Sequence, residues 1–121
     1  MNKGFILLIC ILLATGCIWE DEESLFPEEG VCDTSNVSYQ EDVLPIMSAN
    51  CYACHSNVNA PDFASGIALE EYEDVFASTD LIIGAINHSD GFPAMPKGEE
   101  KLDSCSILTL EAWILQGALE N

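Results

Sequence analysis

The sequence predicts an all-α domain of about four short helices joined by loops. Apolar residues recur at three- and four-residue intervals, no period-two alternation runs long enough for a sheet, and stretches rich in Gly and Pro separate the periodic segments. A chain of 121 residues has room for one small domain, and no internal repeat suggests a second.

Residues 1–16 read as a leader rather than as part of that domain. Lys3 supplies a positive start, and the apolar run from Phe5 to Leu13 is too short to span a bilayer. Leu13-Ala14-Thr15-Gly16-Cys17 resembles the lipobox of bacterial lipoproteins, which implies cleavage before Cys17 and acylation of its thiol. Cys10 follows the bulky Ile9 and does not fit that pattern. Residues 17–37 then read as an acidic tether: Glu20-Asp21-Glu22-Glu23 and Glu28-Glu29 repel one another, and Pro27 and Gly30 interrupt any regular structure.

The folded domain is expected over 38–121. Ser38 and Glu41 have capping-box spacing, and Val43, Ile46, Met47 and Asn50 follow at helical intervals. Pro45 sets the start of this first helix at about Asp42, because amides of a first turn have no intrahelical partner to lose. Ser56 to Gly66, with Asn57, Asn59, Pro61 and Asp62, reads as a loop. A second helix is expected over Leu69–Phe76, with Leu69, Tyr72, Val75 and Phe76 on one face. A third starts at Thr79 or Asp80, either able to cap it, and runs through Ile82, Ile83 and Ile86 to about Asn87. His88 to Gly98 holds two prolines and two glycines, so no helix is expected there. Asp103 caps the last helix, which carries Ile107, Leu110, Trp113 and Ile114 and stops at Gly117.

The chemistry is concentrated in Cys51-Tyr52-Ala53-Cys54-His55. In an exported protein this spacing predicts covalent attachment of one haem c through both thiols, with His55 an axial ligand of the iron. A zinc site drawn from Cys51, Cys54, His55 and His88 would have to fit the adjacent Cys54 and His55 into one tetrahedron, and a redox dithiol would need a strand–helix context that is missing. Two residues compete for the second axial position. Met95 lies between Pro93 and Pro96, which stiffen the backbone on both sides, and a methionine ligand raises the reduction potential. His88 is the alternative, giving a bis-histidine iron; its other expected roles are capping the third helix, bonding a propionate or simple exposure.

Of six cysteines, Cys32 and Cys105 remain unassigned, and an oxidising compartment predicts a disulfide between them. Such a bridge would constrain the unfolded chain by roughly 4 kcal/mol. The formal net charge is −18, with three lysines and no arginine. This excludes nucleic acid as a partner and leaves membrane attachment to the lipid on Cys17.

Together the haem motif at the end of a first helix, Met95-Pro96 in a late loop and the aromatic-bearing last helix resemble a small class I cytochrome c, over residues 38–121. Asp42 to Ile46 is similar to the segment preceding the motif in single-haem domains of bacterial lipoproteins. The resemblance implies first and last helices packed crosswise, Val43 or Met47 meeting Trp113 or Ile114. A core of about 85 residues of short helices is marginal alone. A haem wrapped by Tyr52, Phe63, Ile67, Leu69, Phe76, Leu81, Ile82 and Phe92 would complete it, so the haem-free chain is expected to be poorly ordered.

The expected function is single-electron transfer, without enzymatic activity, by a carrier lipid-anchored to the outer membrane and facing the periplasm or the cell surface. Its partners are expected to be redox proteins that are basic or that dock near Lys97 and Lys101, which flank the methionine loop in place of the lysine ring of many such carriers. The alternative is a peroxidase-like or ligand-sensing haem subunit with an open or bis-histidine iron.

Overall fold

A computed structural model describes residues 32–121. The leader over 1–16, Cys17 and the acidic blocks up to residue 31 lie outside the described residues. The remainder is all-α, with no strand among the described residues. A π-helical turn, Tyr39–Val43, runs into α1 (Leu44–Asn50), and α2 (Tyr52–His55) follows after Cys51. Then come α3 (Ala60–Phe63), α4 (Tyr72–Ala77), α5 (Thr79–Ile86) and α6 (Ser104–Leu115).

The opening turn shows how Pro45 is accommodated. Helical structure starts at Tyr39, three residues before the expected Asp42, but as a widened turn in which the Val43 amide donates to the Ser38 carbonyl at 3.2 Å. In a regular helix the Pro45 ring would press on the carbonyl four residues earlier, and the wider turn lies directly upstream of it. Ser38 caps the turn by accepting the Glu41 amide at 3.3 Å, as its spacing predicts. The reciprocal bond comes from a different residue: the Ser38 amide donates to Asp42 Oδ2 at 2.8 Å rather than to Glu41.

Tyr39, Val43 and Met47 recur every fourth residue, and all three are buried. They meet the last helix, where Ile107, Leu110 and Trp113 are buried in the same apolar core. The Tyr39 ring lies 5.5 Å from that of Trp113 and 5.1 Å from that of Tyr72, the latter edge to face. The next step of the stripe is Cys51, whose Sγ reaches Met47 Sδ at 4.0 Å. Cys51, the first residue of the Cys51–His55 motif, therefore continues the buried face of the core.

The segment before the π-helical turn belongs to the folded unit, which begins at Cys32. Cys32 is bridged to Cys105 (Cα–Cα 5.4 Å). The Val37 amide donates to Gln116 Oε1 at 3.0 Å, and Gln116 Nε2 donates to the Thr34 carbonyl at 2.7 Å. Residues 32–37, read from sequence as the end of the tether, are thus fastened to α6.

Three other expectations change. Leu69 precedes α4 instead of opening it: its amide donates to the His55 carbonyl at 2.8 Å, its side chain is buried in the core, and the helix starts at Tyr72. The expected loop after the Cys51–His55 motif contains α3, with Pro61 in its first turn, where a missing N–H costs nothing. For α5, neither Thr79 nor Asp80 is the cap; Ser78 occupies that position with no side-chain bond, and Thr79 Oγ1 donates to the Phe76 carbonyl. The last helix runs as expected, with Asp103 Oδ1 accepting the Ser106 amide at 2.9 Å and Gly117 following its end.

Candidate functional site

Cys51 is the hinge between α1 and α2: its amide donates to Met47, and its carbonyl accepts from Cys54 (3.1 Å) and His55 (2.8 Å). Positions i, i+3 and i+4 of one helical turn share a face, so Cys51, Cys54 and His55 are gathered by local geometry alone. Both cysteines are free thiols, Cys51 half-buried and Cys54 exposed. Burial pushes the Cys51 thiol up to about 11. A redox dithiol needs a lowered pKa, so this environment opposes that chemistry.

His55 is held twice by the chain that follows α3. Its carbonyl accepts the Leu69 amide at 2.8 Å, and its Nδ1 lies 2.8 Å from the Ile67 carbonyl oxygen. A carbonyl only accepts, so Nδ1 carries the proton and Nε2 is left with its lone pair. This is the arrangement in which a second-sphere acceptor orients an imidazole for a metal. The motif is pinned further along as well: Tyr52 Oη donates to the Glu70 carbonyl at 3.2 Å, the Asn57 amide to Glu70 Oε2 at 2.7 Å, and Asn59 Nδ2 to the Ala53 carbonyl at 2.9 Å. Burial first, then the negative charge of Glu70, raises the Tyr52 hydroxyl above its ordinary range.

The methionine loop hangs from the C-terminal end of α5. The Met95 amide donates to the Ala85 carbonyl at 3.0 Å, and His88 Nε2 donates to the Met95 carbonyl at 3.1 Å. Phe92 rests on Gly84, where a Cβ would drive into the ring. Met95 is half-buried; Lys97 and Lys101 on the same loop are exposed. Spacing in the sequence pointed to neither the His88–Met95 bond nor the Gly84 seat, since both join α5 to a loop with no periodicity.

No group of three or more His, Cys, Asp or Glu side chains is assembled to hold a metal among the described residues, so Cys51, Cys54, His55 and His88 do not form a zinc tetrad. A haem would draw on a different donor set, and the donor types it would need are present: two free thiols and one imidazole nitrogen on a single turn, and a methionine on a separately anchored loop. Of the eight side chains expected to wrap the ring, Phe63, Ile67, Phe76, Leu81 and Phe92 are exposed, Phe63 by 70 %, whereas Leu69 and Ile82 are buried in the protein's own core. The exposed five offer apolar area that an apolar ring could cover. A surface depression of about 270 Å³ lined by Asn36, Val37, Trp113, Gln116 and Leu119 includes none of the motif or loop residues. No helix among the described residues is long and apolar enough to cross a membrane.

No family model matches the chain, and neither a curated protein nor a solved structure matches it.

Proposed function

We propose that this protein is a mono-haem c-type cytochrome that carries single electrons in the cell envelope, with the small cytochrome c fold and His55 and Met95 as axial ligands. The observation that carries this reading is the Nδ1 bond of His55 to the Ile67 carbonyl, one turn from two free thiols. It selects the tautomer whose Nε2 lone pair faces away from the chain's own acceptor. The haem, when bound, supplies one-electron chemistry at its iron. The chain's contribution would be to hold it, with Cys51 and Cys54 forming thioether bonds and His55 and Met95 ligating the iron. Two protein ligands leave no open position for a substrate, which favours a carrier over a peroxidase-like or ligand-sensing subunit.

Acylation of Cys17 would fasten the carrier to the outer membrane, in keeping with a charge of −18 that anionic lipid repels. The same charge favours basic redox partners, with Lys97 and Lys101 the only cationic side chains on the described unit for an acidic one. A pyridine haemochrome spectrum combined with intact mass tests the reading. One covalent haem per chain and a mass increment for acyl chains are expected; absence of haem from protein matured in an exporting, haem-competent host would overturn it. Carbon monoxide separates carrier from sensor, since a closed iron binds it slowly and incompletely.

A further inference from the structure

The C-terminal ends of α5 and α6 are closed by the same pair of bonds but differ in which residues take left-handed positions. After α6, the Gly117 amide donates to the Ile114 carbonyl and the Ala118 amide to the Trp113 carbonyl, the paired reverse bonds of a Schellman closure. Gly117 sits at φ +101°, in the left-handed region that this closure requires and that glycine reaches freely, and Ala118 after it is at φ +49°. After α5 the same two bonds recur, from the His88 amide to Ala85 and from the Ser89 amide to Gly84. Here the left-handed position, φ +54°, is filled by His88. A side chain with a Cβ is strained there relative to glycine, because the Cβ crowds the following carbonyl oxygen. A histidine at a glycine position is therefore a cost that the closure itself does not explain.

What the imidazole gains at that site is a bond across the loop. Its Nε2 lies 3.1 Å from the Met95 carbonyl, while the Met95 amide is tied to Ala85 at 3.0 Å. The Met95 residue is thus held at both of its backbone polar groups, each by the last turn of α5 or the residue that closes it. Glycine would satisfy the helix end and leave the carbonyl side of Met95 without that tie. We propose that His88 is a positioning residue for Met95: its left-handed backbone aims the imidazole at the loop, and its Nε2–H fixes the peptide that carries the sulfur ligand. This rests on the reading of Met95 as the second axial ligand. It also assigns His88 a role other than iron ligation, with its Nε2 engaged by the Met95 carbonyl.

The substitution His88→Gly separates the side chain from the fold, since glycine relaxes the helix end and the variant is expected to fold at least as well as the parent. His88→Gln restores a donor of comparable reach. In the holoprotein, His88→Gly should keep full covalent haem but bind exogenous imidazole at ferric iron on the order of two- to tenfold more tightly, the factor expected for one lost hydrogen bond. Its sulfur-to-iron charge-transfer band should weaken, and His88→Gln should move both readouts back towards the parent. Independently of the haem, the Met95 amide should exchange its hydrogen faster in His88→Gly. Unchanged imidazole affinity and unchanged exchange in His88→Gly would overturn the positioning role while leaving the cytochrome reading intact. A parent protein with no sulfur-to-iron band, whose low-spin spectrum survives Met95→Ala and is lost in His88→Gly, would instead make His88 the ligand and overturn both.

Discussion

Tyr39 shows how much a single atom can reveal. Its ring packs between Tyr72 and Trp113, but its hydroxyl is buried with no hydrogen-bond partner among the described residues. Burial, followed by the nearby Tyr52 hydroxyl and the carboxylates of Glu120, Glu71 and Glu73, pushes it up to about 12. A folded-state pKa above the unfolded one means that the native state holds this proton more tightly. The resulting stability is complete below the ordinary tyrosine range and is lost as pH rises towards 12. Tyr39→Phe should therefore fold with equal stability or gain about 1 kcal/mol, since it removes an unsatisfied hydroxyl without opening a cavity. Urea unfolding near neutral pH measures that gain, and the same titration at alkaline pH should show a smaller loss than in the parent. His55 illustrates the opposite case, a polar group whose single partner decides its chemistry. Its place in the motif was legible in the sequence. Its tautomer was not, because Ile67 lies twelve residues away across a loop.

At the scale of elements, helix ends carried the clearest signals. Asp103 accepts from both the amide and the hydroxyl of Ser106, and these bonds hold its carboxyl below the usual range. Asp103→Ala should cost about 1 kcal/mol of stability, as for other lost N-caps, read as a lower denaturation midpoint with an unchanged slope. The sign of the pH dependence follows from the depressed value. Asp103 stabilises the fold above the ordinary carboxylate range and ceases to as pH falls through its folded value, so the difference between parent and variant should vanish in acid. The cap at Asp103, the stop at Gly117 and the Ser38 cap depend on neighbours within four residues, and all three were readable from spacing. The π-helical turn, the late start of α4 and the short α3 were not. Each answers a demand from elsewhere: Pro45 against the turn before it, the His55 carbonyl drawing in Leu69, and the loop folding back towards the motif.

Over the whole molecule, the chain is closed by a clasp between its first described residues and its last helix. The Cys32–Cys105 bridge spans 73 positions, and Val37 and Thr34 add bonds to Gln116. Replacing both cysteines by serine should lower stability by up to roughly 4 kcal/mol, the loop-entropy limit for a bridge of this span, measured by denaturant unfolding of the holoprotein. The apolar side chains divide into two populations. Val43, Met47, Leu110 and Trp113 are sealed in the core, whereas Phe63, Phe76, Leu81 and Phe92 remain open to solvent. For a carrier that wraps a haem, protein matured with Cys51→Ser and Cys54→Ser should lose cooperative unfolding and bind a hydrophobic dye. Sharp, native-like unfolding of that variant would show that the ring is dispensable to the fold. Association with a cationic redox partner should slow as salt is added, because the acidic surface steers it over a distance of about one Debye length.

By itself the sequence determined what is local: helical periodicity, the caps at Ser38 and Asp103, the glycine stop, and the shared face of Cys51, Cys54 and His55, all set by contacts within a turn or two. It also isolated Cys32 and Cys105 as a pair, by elimination rather than by geometry. Tertiary structure alone decided which carbonyl orients His55, which residue fastens Met95, and which of the apolar side chains expected around the motif enter the core. Those outcomes depend on groups brought together across loops, where no periodicity links the partners and where only the packed chain brings donor and acceptor within reach.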